Sequence, residues 1–249
     1  GATRAMRASN DGYTIVMGQT SNMAVNATLY PKLPYDPLKD LTPIALVADS
    51  PILMVVSAES PYRTLADIIA AAKAKPEAVT FASPGNGTVA HLSSELLQGA
   101  AGIKFQHIPY KGAAPAITDL LGGRVDLLMS SVPTLLGHVK GGKLRAIALT
   151  GPKRSPVLPE TPTVAESGFP GFDANTWFGI LVPTGTPATI VQTLNREINA
   201  ALQAPEVREK IRTEGGDALG GTTAAFADLL KLEIEKWAKV VKSSGAKID

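Results

Sequence analysis

The sequence predicts an α/β fold from its composition and from the alternation of two kinds of segment. The chain has 249 residues, of which 45% are hydrophobic and 18% are charged, as in ordered globular proteins and unlike disordered ones. Short apolar runs, rich in Ile, Val, Leu and Phe, alternate with amphipathic segments that are long enough for helices. Because these runs are almost continuously hydrophobic, they are typical of strands buried on both faces. Alternating strands and helices are the pattern of the α/β class.

Eight apolar runs are predicted as strands, with helices between them. In chain order the predicted strands cover residues 13–17, 44–47, 52–57, 79–82, 105–109, 125–129, 144–149 and 178–182. Thr64 and Asp67 have the spacing of a capping box that begins one helix, and Thr186 followed by Pro187 begins another. An apolar stripe over 226–241 predicts an amphipathic helix near the end of the chain.

The balance of charged residues argues against a polyanionic partner. The 24 Lys+Arg residues and 22 Asp+Glu residues give a net charge of 24 − 22 = +2, and no window clusters the basic residues as a nucleic-acid-binding patch requires. Cysteine is absent, which excludes disulfides, thiolate nucleophiles and Cys-ligated metals. The longest apolar run, at 51–56, is far too short to span a membrane. We therefore expect no nucleic-acid partner, no membrane-embedded segment and no cofactor.

A glycine-rich loop, Ser83–Thr88, lies between the strand predicted to end at Ala82 and a helix predicted over 89–98. Glycine lets backbone N–H groups approach a ligand, and a helix N-terminus adds unpaired donors and partial positive charge. The loop has no lysine and matches no dinucleotide fingerprint, so a carboxylate held by neutral donors is favoured over a polyphosphate. An ordinary structural turn between strand and helix is the alternative. The candidate ligand-binding residues here are Ser83, Gly85, Asn86, Gly87 and Thr88.

Two further polar segments follow predicted strands. Thr20 and Ser21 come after the strand at 13–17, and Ser130 and Ser131 follow the strand at 125–129. The carboxyl ends of strands are where open α/β sheets bind ligands. Serine and threonine also cap helices for structural reasons, so each segment alone is weak evidence and the three together are stronger.

The histidines form no catalytic or metal-binding constellation. His91, His107 and His138 lie in different segments without a metal-ligand spacing, and His107 and His138 are interpreted as structural. His91 lies in the first turns of the helix after the glycine loop and is a candidate ligand contact, although packing beneath the loop is the commoner role. A hydrolase with Ser83 as nucleophile and His91 as base depends on proximity alone, because no Gly-x-Ser-x-Gly elbow is present. We therefore expect no enzyme activity, no catalytic residue and no metal.

Several motifs, in a fixed order, resemble one family of transport proteins. They are Asp11-Gly12-Tyr13-Thr14, Leu33-Pro34-Tyr35-Asp36-Pro37, Pro109-Tyr110-Lys111-Gly112, Gly122-Gly123-Arg124-Val125-Asp126, Lys143-Leu144-Arg145-Ala146, Lys153-Arg154-Ser155-Pro156, Pro162-Thr163-Val164-Ala165-Glu166-Ser167-Gly168 and Trp177-Phe178-Gly179. Together they cover essentially the whole chain. The chain therefore resembles a substrate-binding protein of the tripartite tricarboxylate transporter group, of the Bug or TctC type.

The resemblance implies a fold, a location and a function. The fold is periplasmic binding protein-like, with two α/β lobes that each have a mixed, mostly parallel sheet and a ligand cleft between them. Lobe 1 is expected to comprise residues 1–78 and 178–249, and lobe 2 residues 79–177. The function is that of a monomeric periplasmic receptor, which captures a small carboxylate for the membrane permease subunits of a tripartite transporter. Loops like Ser83–Thr88, and residues like Thr20 and Ser21, hold the ligand carboxylate in the family. A ligand-sensing domain that signals to a protein partner is the alternative.

Two departures from the family pattern affect the expected ligand and site. Many relatives have Asp-Asn where this chain has Ser130 and Ser131, which removes an anchor for an amino group and favours a plain organic acid or a carboxylated aromatic over an amino acid. Relatives also place a strand, a Pro/Gly-rich loop and a helix before the segment matching residues 1–6, and that loop forms half of the carboxylate clamp. We therefore expect the chain as given to lack this segment and a signal peptide, and to bind ligand weakly.

Overall fold

The chain forms two compact units in the computed structural model, which describes residues 1–246. Unit 1 combines Gly1–Asp49 with the chain from Thr176 onward, and unit 2 is Ser50–Asn175. Each unit contains a β-sheet together with helices. The predicted α/β class is therefore confirmed.

The helices and strands alternate along most of the chain, as the sequence predicts. In chain order they are α1 (Ala2–Met6), β1 (Val16–Gln19), a π-helix (Thr20–Val25), α2 (Asn26–Leu29), β2 (Leu41–Ser50), β3 (Ile52–Ser57), α3 (Leu65–Ala74), β4 (Thr80–Ser83), α4 (Val89–Ala101), β5 (Gln106–Pro109), α5 (Ala113–Leu121), β6 (Leu127–Ser131), α6 (Val132–Lys140), β7 (Leu144–Leu149), β8 (Thr176–Pro183), α7 (Ala188–Gln203), α8 (Pro205–Thr213), β9 (Asp217–Ala218) and α9 (Thr223–Ser244). The capping box of Thr64 and Asp67 at the start of α3 is confirmed.

Unit 1 is built on a four-stranded sheet with the order β1-β8-β2-β9. β1 pairs with β8, and β2 with β9, in antiparallel fashion. At least two of the three pairs of neighbouring strands in this sheet are therefore antiparallel, so the expectation of a mostly parallel sheet is wrong for unit 1. Helix α7 covers one part of the sheet, where the buried side chains and those packed on them are Ile44, Ala45, Val47, Ile180, Val182, Val191, Leu194 and Ile198.

A second buried region of unit 1 surrounds two indole rings. Trp177, the second residue of β8, packs edge-on against Phe226 of α9, with ring centroids 5.4 Å apart. The carboxylate of Glu233, which is itself buried, accepts hydrogen bonds from the indole N–H of Trp177 at 3.1 Å and of Trp237 at 2.8 Å. A side chain at Gly179 would bring a Cβ within 2.4 Å of the Phe226 ring, so only glycine allows α9 to approach β8 this closely.

Unit 2 is built on a five-stranded sheet with the order β5-β4-β6-β3-β7. β4 is parallel to β5 and to β6, whereas β3 is antiparallel to both of its neighbours, β6 and β7. Four strands therefore point one way, as predicted, and β3 alone points the other way. Helices α5 and α6 pack on one face of this sheet, where the buried side chains are Leu53, Val55, Ala82, Ala116, Ile117, Leu120, Val125, Leu128, Val132, Leu135, Leu144, Leu149 and Leu158.

The boundary between the units differs from the predicted lobe boundary. The chain enters unit 2 after Asp49, not after residue 78, and it returns to unit 1 at Thr176 rather than at residue 178. The segment 50–78 belongs to unit 2 because β3 lies between β6 and β7 in the middle of the unit 2 sheet. The apolar run of β3 shows that the strand is buried, but it does not show which sheet buries it.

Two features are absent from residues 1–246. No helix there combines the length and apolar composition that crossing a lipid bilayer requires. Nor do three or more His, Asp or Glu side chains of that range come together as metal ligands.

Candidate functional site

Three parallel strands of unit 2 end at the same edge of the sheet, and each leads into a helix. β4 is parallel to β5 and β6, so the carboxyl ends of the three strands lie at one edge. The helices α4, α5 and α6 are the next elements along the chain after these strands, which places three helix N-termini there. Helix N-termini carry unpaired N–H groups and a partial positive charge. The first turns of α4, α5 and α6 contain no acidic residue that would neutralise this charge.

The glycine loop is fixed at both ends by side-chain hydrogen bonds. Ser83 is completely buried; its hydroxyl donates to the Gly85 carbonyl at 3.2 Å and accepts from the Gly85 N–H at 3.3 Å. Thr88 is the N-cap of α4, as predicted. Its Oγ1 donates to the Gly85 carbonyl at 2.8 Å and accepts from the His91 N–H at 3.3 Å. The side chains of the loop itself therefore hold its backbone in one defined conformation.

The conformation of the loop requires glycine and leaves backbone donors free. Gly85 and Gly87 have φ angles of +153° and +68°, a region that side chains with a Cβ rarely adopt. Val89 and Ala90 are the first two residues of α4, so their N–H groups have no acceptor within the helix. These neutral donors lie at the carboxyl-end edge of the sheet, and they suit a carboxylate.

The loop after β5 runs beside the glycine loop. The Tyr110 N–H donates to the Ser83 carbonyl at 3.0 Å, and the Gly112 N–H donates to the Pro84 carbonyl at 2.9 Å. Lys111 lies between these two donors along the chain and is exposed. Neither the glycine loop nor the end of β6 contains Lys or Arg.

Ser130 and Ser131 lie at the end of β6, the neighbour of β4 in the sheet. Ser130 is buried, with 4% of its surface exposed. Ser131 is partly exposed and is the N-cap residue of α6, and its Oγ lies 2.7 Å from the Oγ1 of Thr134. The structure thus brings the β6 end to the same edge of unit 2 as the glycine loop, as expected for carboxyl ends of parallel strands.

His91 and His107 are stacked face to face beneath the glycine loop. Their ring centroids are 4.0 Å apart and the rings are almost parallel, at 9°. His91 accepts the Gly87 N–H on Nδ1 at 3.1 Å, so it supports the loop from below. Burial lowers the pKa of each imidazole to about 4, and the His107 ring contributes to the lowering at His91. Both rings are therefore neutral at neutral pH.

The residue that pairs with Ser83 is His107, and sequence reasoning missed it. The Ser83 Oγ lies 2.7 Å from the Nε2 of His107, whereas the sequence suggested His91 as its partner. The contact arises because β4 and β5 are parallel with Phe81 opposite His107, which places Ser83 two residues further along the same face. The sequence contains one signal for this contact: His107 is a polar residue that alternates with Phe105 in an otherwise apolar strand.

Thr20 and Ser21 begin the π-helix that follows β1 in unit 1. Thr20 is completely buried, and its Oγ1 accepts the backbone N–H of Trp177 at 2.9 Å. Ser21 is partly exposed. Thr20 thus has a structural role in holding the start of β8, and a ligand contact for either residue stays a prediction.

Comparison with known proteins gives one family and several solved structures. A family model described as "Tripartite tricarboxylate transporter family receptor" matches residues 1–246. The chain is 39% identical to "Protein BugT" of Bordetella pertussis, over 100% of this chain and 76% of that protein.

Three of the similar solved structures bear on the ligand and the fold. A Rhodopseudomonas palustris protein solved with adipate is 34% identical, with a TM-score of 0.86 over 99% of this chain and 82% of that one. The periplasmic binding protein BugD is 32% identical, with a TM-score of 0.82 over 99% and 83%. MatC of Rhodopseudomonas palustris, solved with bound malate, is 31% identical, with a TM-score of 0.80 over 96% and 83%. Adipate and malate are both dicarboxylic acids.

Proposed function

Because the chain belongs to the tripartite tricarboxylate transporter receptor family, we propose that it is a periplasmic receptor that captures a small organic acid for the membrane permease subunits of such a transporter. The acids bound by two similar proteins, adipate and malate, support the class of ligand. The similarity to a periplasmic binding protein supports the location.

The observation that carries this proposal is the convergence of three helix N-termini on the edge of the sheet that holds the glycine loop. A ligand carboxylate at the start of α4 accepts hydrogen bonds from the N–H groups of Val89 and Ala90, with the hydroxyls of Ser130 and Ser131 at the next strand end. The charge of the anion is balanced by the helix dipoles rather than by a cationic side chain. Asn86 belongs to the loop and is proposed as a further contact.

We propose that the chain binds this acid without transforming it. Ser83 is completely buried and its hydroxyl is engaged by Gly85 and His107, so a substrate carbonyl has no access to it. His91, the base in the hydrolase alternative, has its Nδ1 occupied by the Gly87 N–H. Turnover of a model ester that is abolished by Ser83→Ala would overturn this part of the proposal.

A thermal-shift screen tests the class of ligand. The panel comprises adipate, malate, citrate, benzoate and glutamate, each added to the protein at neutral pH. A ligand present at about 100 times its Kd stabilises the folded state by about 2.7 kcal/mol, which raises the melting temperature of a protein of this size by about 5–10 °C. Stabilisation by a plain organic acid supports the proposal. No shift with any acid, or a shift with glutamate alone, contradicts it.

A charge placed at the site tests its position. The Ser131 side chain makes no cap hydrogen bond to α6, and aspartate is a favoured N-cap residue, so Ser131→Asp should leave the stability within about 0.5 kcal/mol of the wild type, while the new carboxylate repels the bound anion. We expect the affinity for the acid to fall at least tenfold, as judged from about 3 kcal/mol for two like charges near a protein surface. The matched control is Thr222→Asp, the N-cap of α9 in unit 1, which should leave the affinity unchanged. Equal effects of the two variants would contradict the proposed position.

A further inference from the structure

The contact between His107 and Ser83 joins β5 to the glycine loop through one hydroxyl group. His107 is packed between two rings: Phe81 on one side, with centroids 5.1 Å apart, and His91 on the other, at 4.0 Å. This packing leaves the imidazole little freedom to rotate, and it aims Nε2 at the Ser83 Oγ, 2.7 Å away. The ring is therefore placed to hold the hydroxyl in one orientation.

The direction of each hydrogen bond follows from the single proton of the Ser83 hydroxyl. Its Oγ has three partners: the Gly85 carbonyl, the Gly85 N–H and His107 Nε2. All three are satisfied when the hydroxyl donates to the carbonyl and accepts from both nitrogens. This arrangement places the proton of His107 on Nε2, which is one of the two tautomers of a neutral imidazole. Ser83 then binds both the carbonyl and the N–H of Gly85, the residue at which the loop turns.

The two histidines also depend on each other for their charge state. His91 accepts the Gly87 N–H on Nδ1, so its own proton lies on Nε2, which faces the Glu95 Oε1 at 3.7 Å. The charged groups around the pair are this Glu95 carboxylate on α4, whose pKa is raised by burial, and Lys104, which precedes β5 and acts on Glu95. Two imidazolium ions at 4.0 Å would repel each other, so the stacked rings cannot both be charged. Burial lowers the pKa of each ring to about 4, so both are neutral at neutral pH.

We propose that His107 is a positioning residue of the acid-binding site, which holds Ser83 and thereby Gly85 so that the N-terminus of α4 presents its N–H groups to an anion. His107 itself does not touch the ligand. Its effect on affinity rests on the proposed function, whereas its effect on the loop does not. The two are therefore measured separately.

Two substitutions distinguish positioning from packing. Gln at position 107 places a hydrogen-bonding group near the location of Nε2, so His107→Gln should retain the contact with Ser83. His107→Leu fills the volume of the imidazole but cannot form this hydrogen bond. In calorimetric titrations with adipate and malate, we expect His107→Leu to lose about tenfold in affinity, the equivalent of one hydrogen bond, and His107→Gln to stay within about threefold of the wild type. His138→Gln, on α6 outside this cluster, is the control for loss of a histidine and should bind as the wild type does.

Hydrogen exchange of the loop amides gives a readout that needs no ligand. The Gly85 and Gly87 amides should exchange faster in His107→Leu than in the wild type, and at the wild-type rate in His107→Gln. Ser83→Ala removes the other end of the same contact. Ser83→Ala also removes the hydrogen bonds to the carbonyl and the N–H of Gly85, so the double variant Ser83→Ala/His107→Leu should exchange no faster than Ser83→Ala alone, because His107 then has no hydroxyl to hold.

The outcomes separate the inference from the proposed function. Faster exchange in His107→Leu, with rescue by His107→Gln, supports the positioning role even if the wild type binds neither acid, in which case the proposed ligand class fails. Equal exchange in the wild type and His107→Leu overturns the positioning role, whatever the ligand. Additive effects in the double variant also overturn it, because they would show that His107 acts by packing and not through Ser83.

Discussion

Replacing Gly85 with alanine tests whether the backbone of the glycine loop holds the anion. Gly85 has a φ of +153°, and a Cβ there would lie 3.4 Å from the Tyr110 carbonyl oxygen and 3.8 Å from Thr88 Cγ2. These are ordinary van der Waals distances, so the main cost is the backbone conformation, about 1–3 kcal/mol where glycine is favoured almost exclusively. A loop that moves to relieve this strain also moves the donors of α4. We therefore expect Gly85→Ala to bind adipate or malate about 10- to 100-fold more weakly in calorimetric titrations.

The control for this prediction lies at the other end of the same helix. Gly102 is the C-cap of α4 and has a φ of +64°, and a Cβ added there would meet no atom within 4 Å. Gly102→Ala should cost about 1–2 kcal/mol of stability and leave the affinity within about twofold of the wild type. If Gly85→Ala bound the acid as tightly as the wild type, or if both variants lost affinity equally, the loop backbone would not be the binding element.

Two further expectations concern stability, and both are measured by urea unfolding. Glu233→Ala removes the buried acceptor of both indole N–H groups and should lower the free energy of unfolding by about 3 kcal/mol. The control is Glu235→Ala, at an exposed position of the same helix, which should change the free energy of unfolding by less than about 0.5 kcal/mol. Equal losses in the two variants would contradict the role of the Glu233 carboxylate. The lowered pKa values of His91 and His107, about 4, mean that the unfolded chain takes up protons below about pH 6.5 while the folded chain does not. The free energy of unfolding should therefore fall by about 2 kcal/mol as the pH is lowered from about 7 to about 5. This is half the loss expected for two fully buried rings, because His107 is only partly buried. His107→Gln should lose part of this pH dependence, and a free energy of unfolding that does not change with pH would contradict it.

The parts of the site that can be predicted from sequence depend on neighbouring residues in the chain. The glycine loop is identifiable because its glycines, the N-cap Thr88 and the apolar face of α4 follow one another directly, and the structure confirms that cap. The same holds for the capping box of Thr64 and Asp67. In each case the hydrogen bonds join residues that are close together along the chain, so the spacing itself carries the geometry.

The parts that could not be predicted depend on which strands are neighbours. The sequence places β3 in the first lobe, but the strand pairs with β6 and β7, which lie far along the chain, and its apolar run is compatible with any buried position. The contact of Ser83 with His107 likewise requires β4 and β5 to be parallel and in register, with Phe81 opposite His107. A register of this kind follows from packing of the whole sheet, and one sequence does not reveal it.

The low charge of the chain is consistent with how unit 2 presents donors to an anion. A Lys or Arg side chain would supply a full charge, but it would also need a counter-ion or solvent when the site is empty, because an unpaired buried charge is costly. Helix N-termini carry only partial charges and are already fixed by the fold, and three of them begin at the ends of β4, β5 and β6. Since the N–H groups are held in place by Thr88, Ser83 and the stacked histidines, little ordering remains to be done when a carboxylate binds.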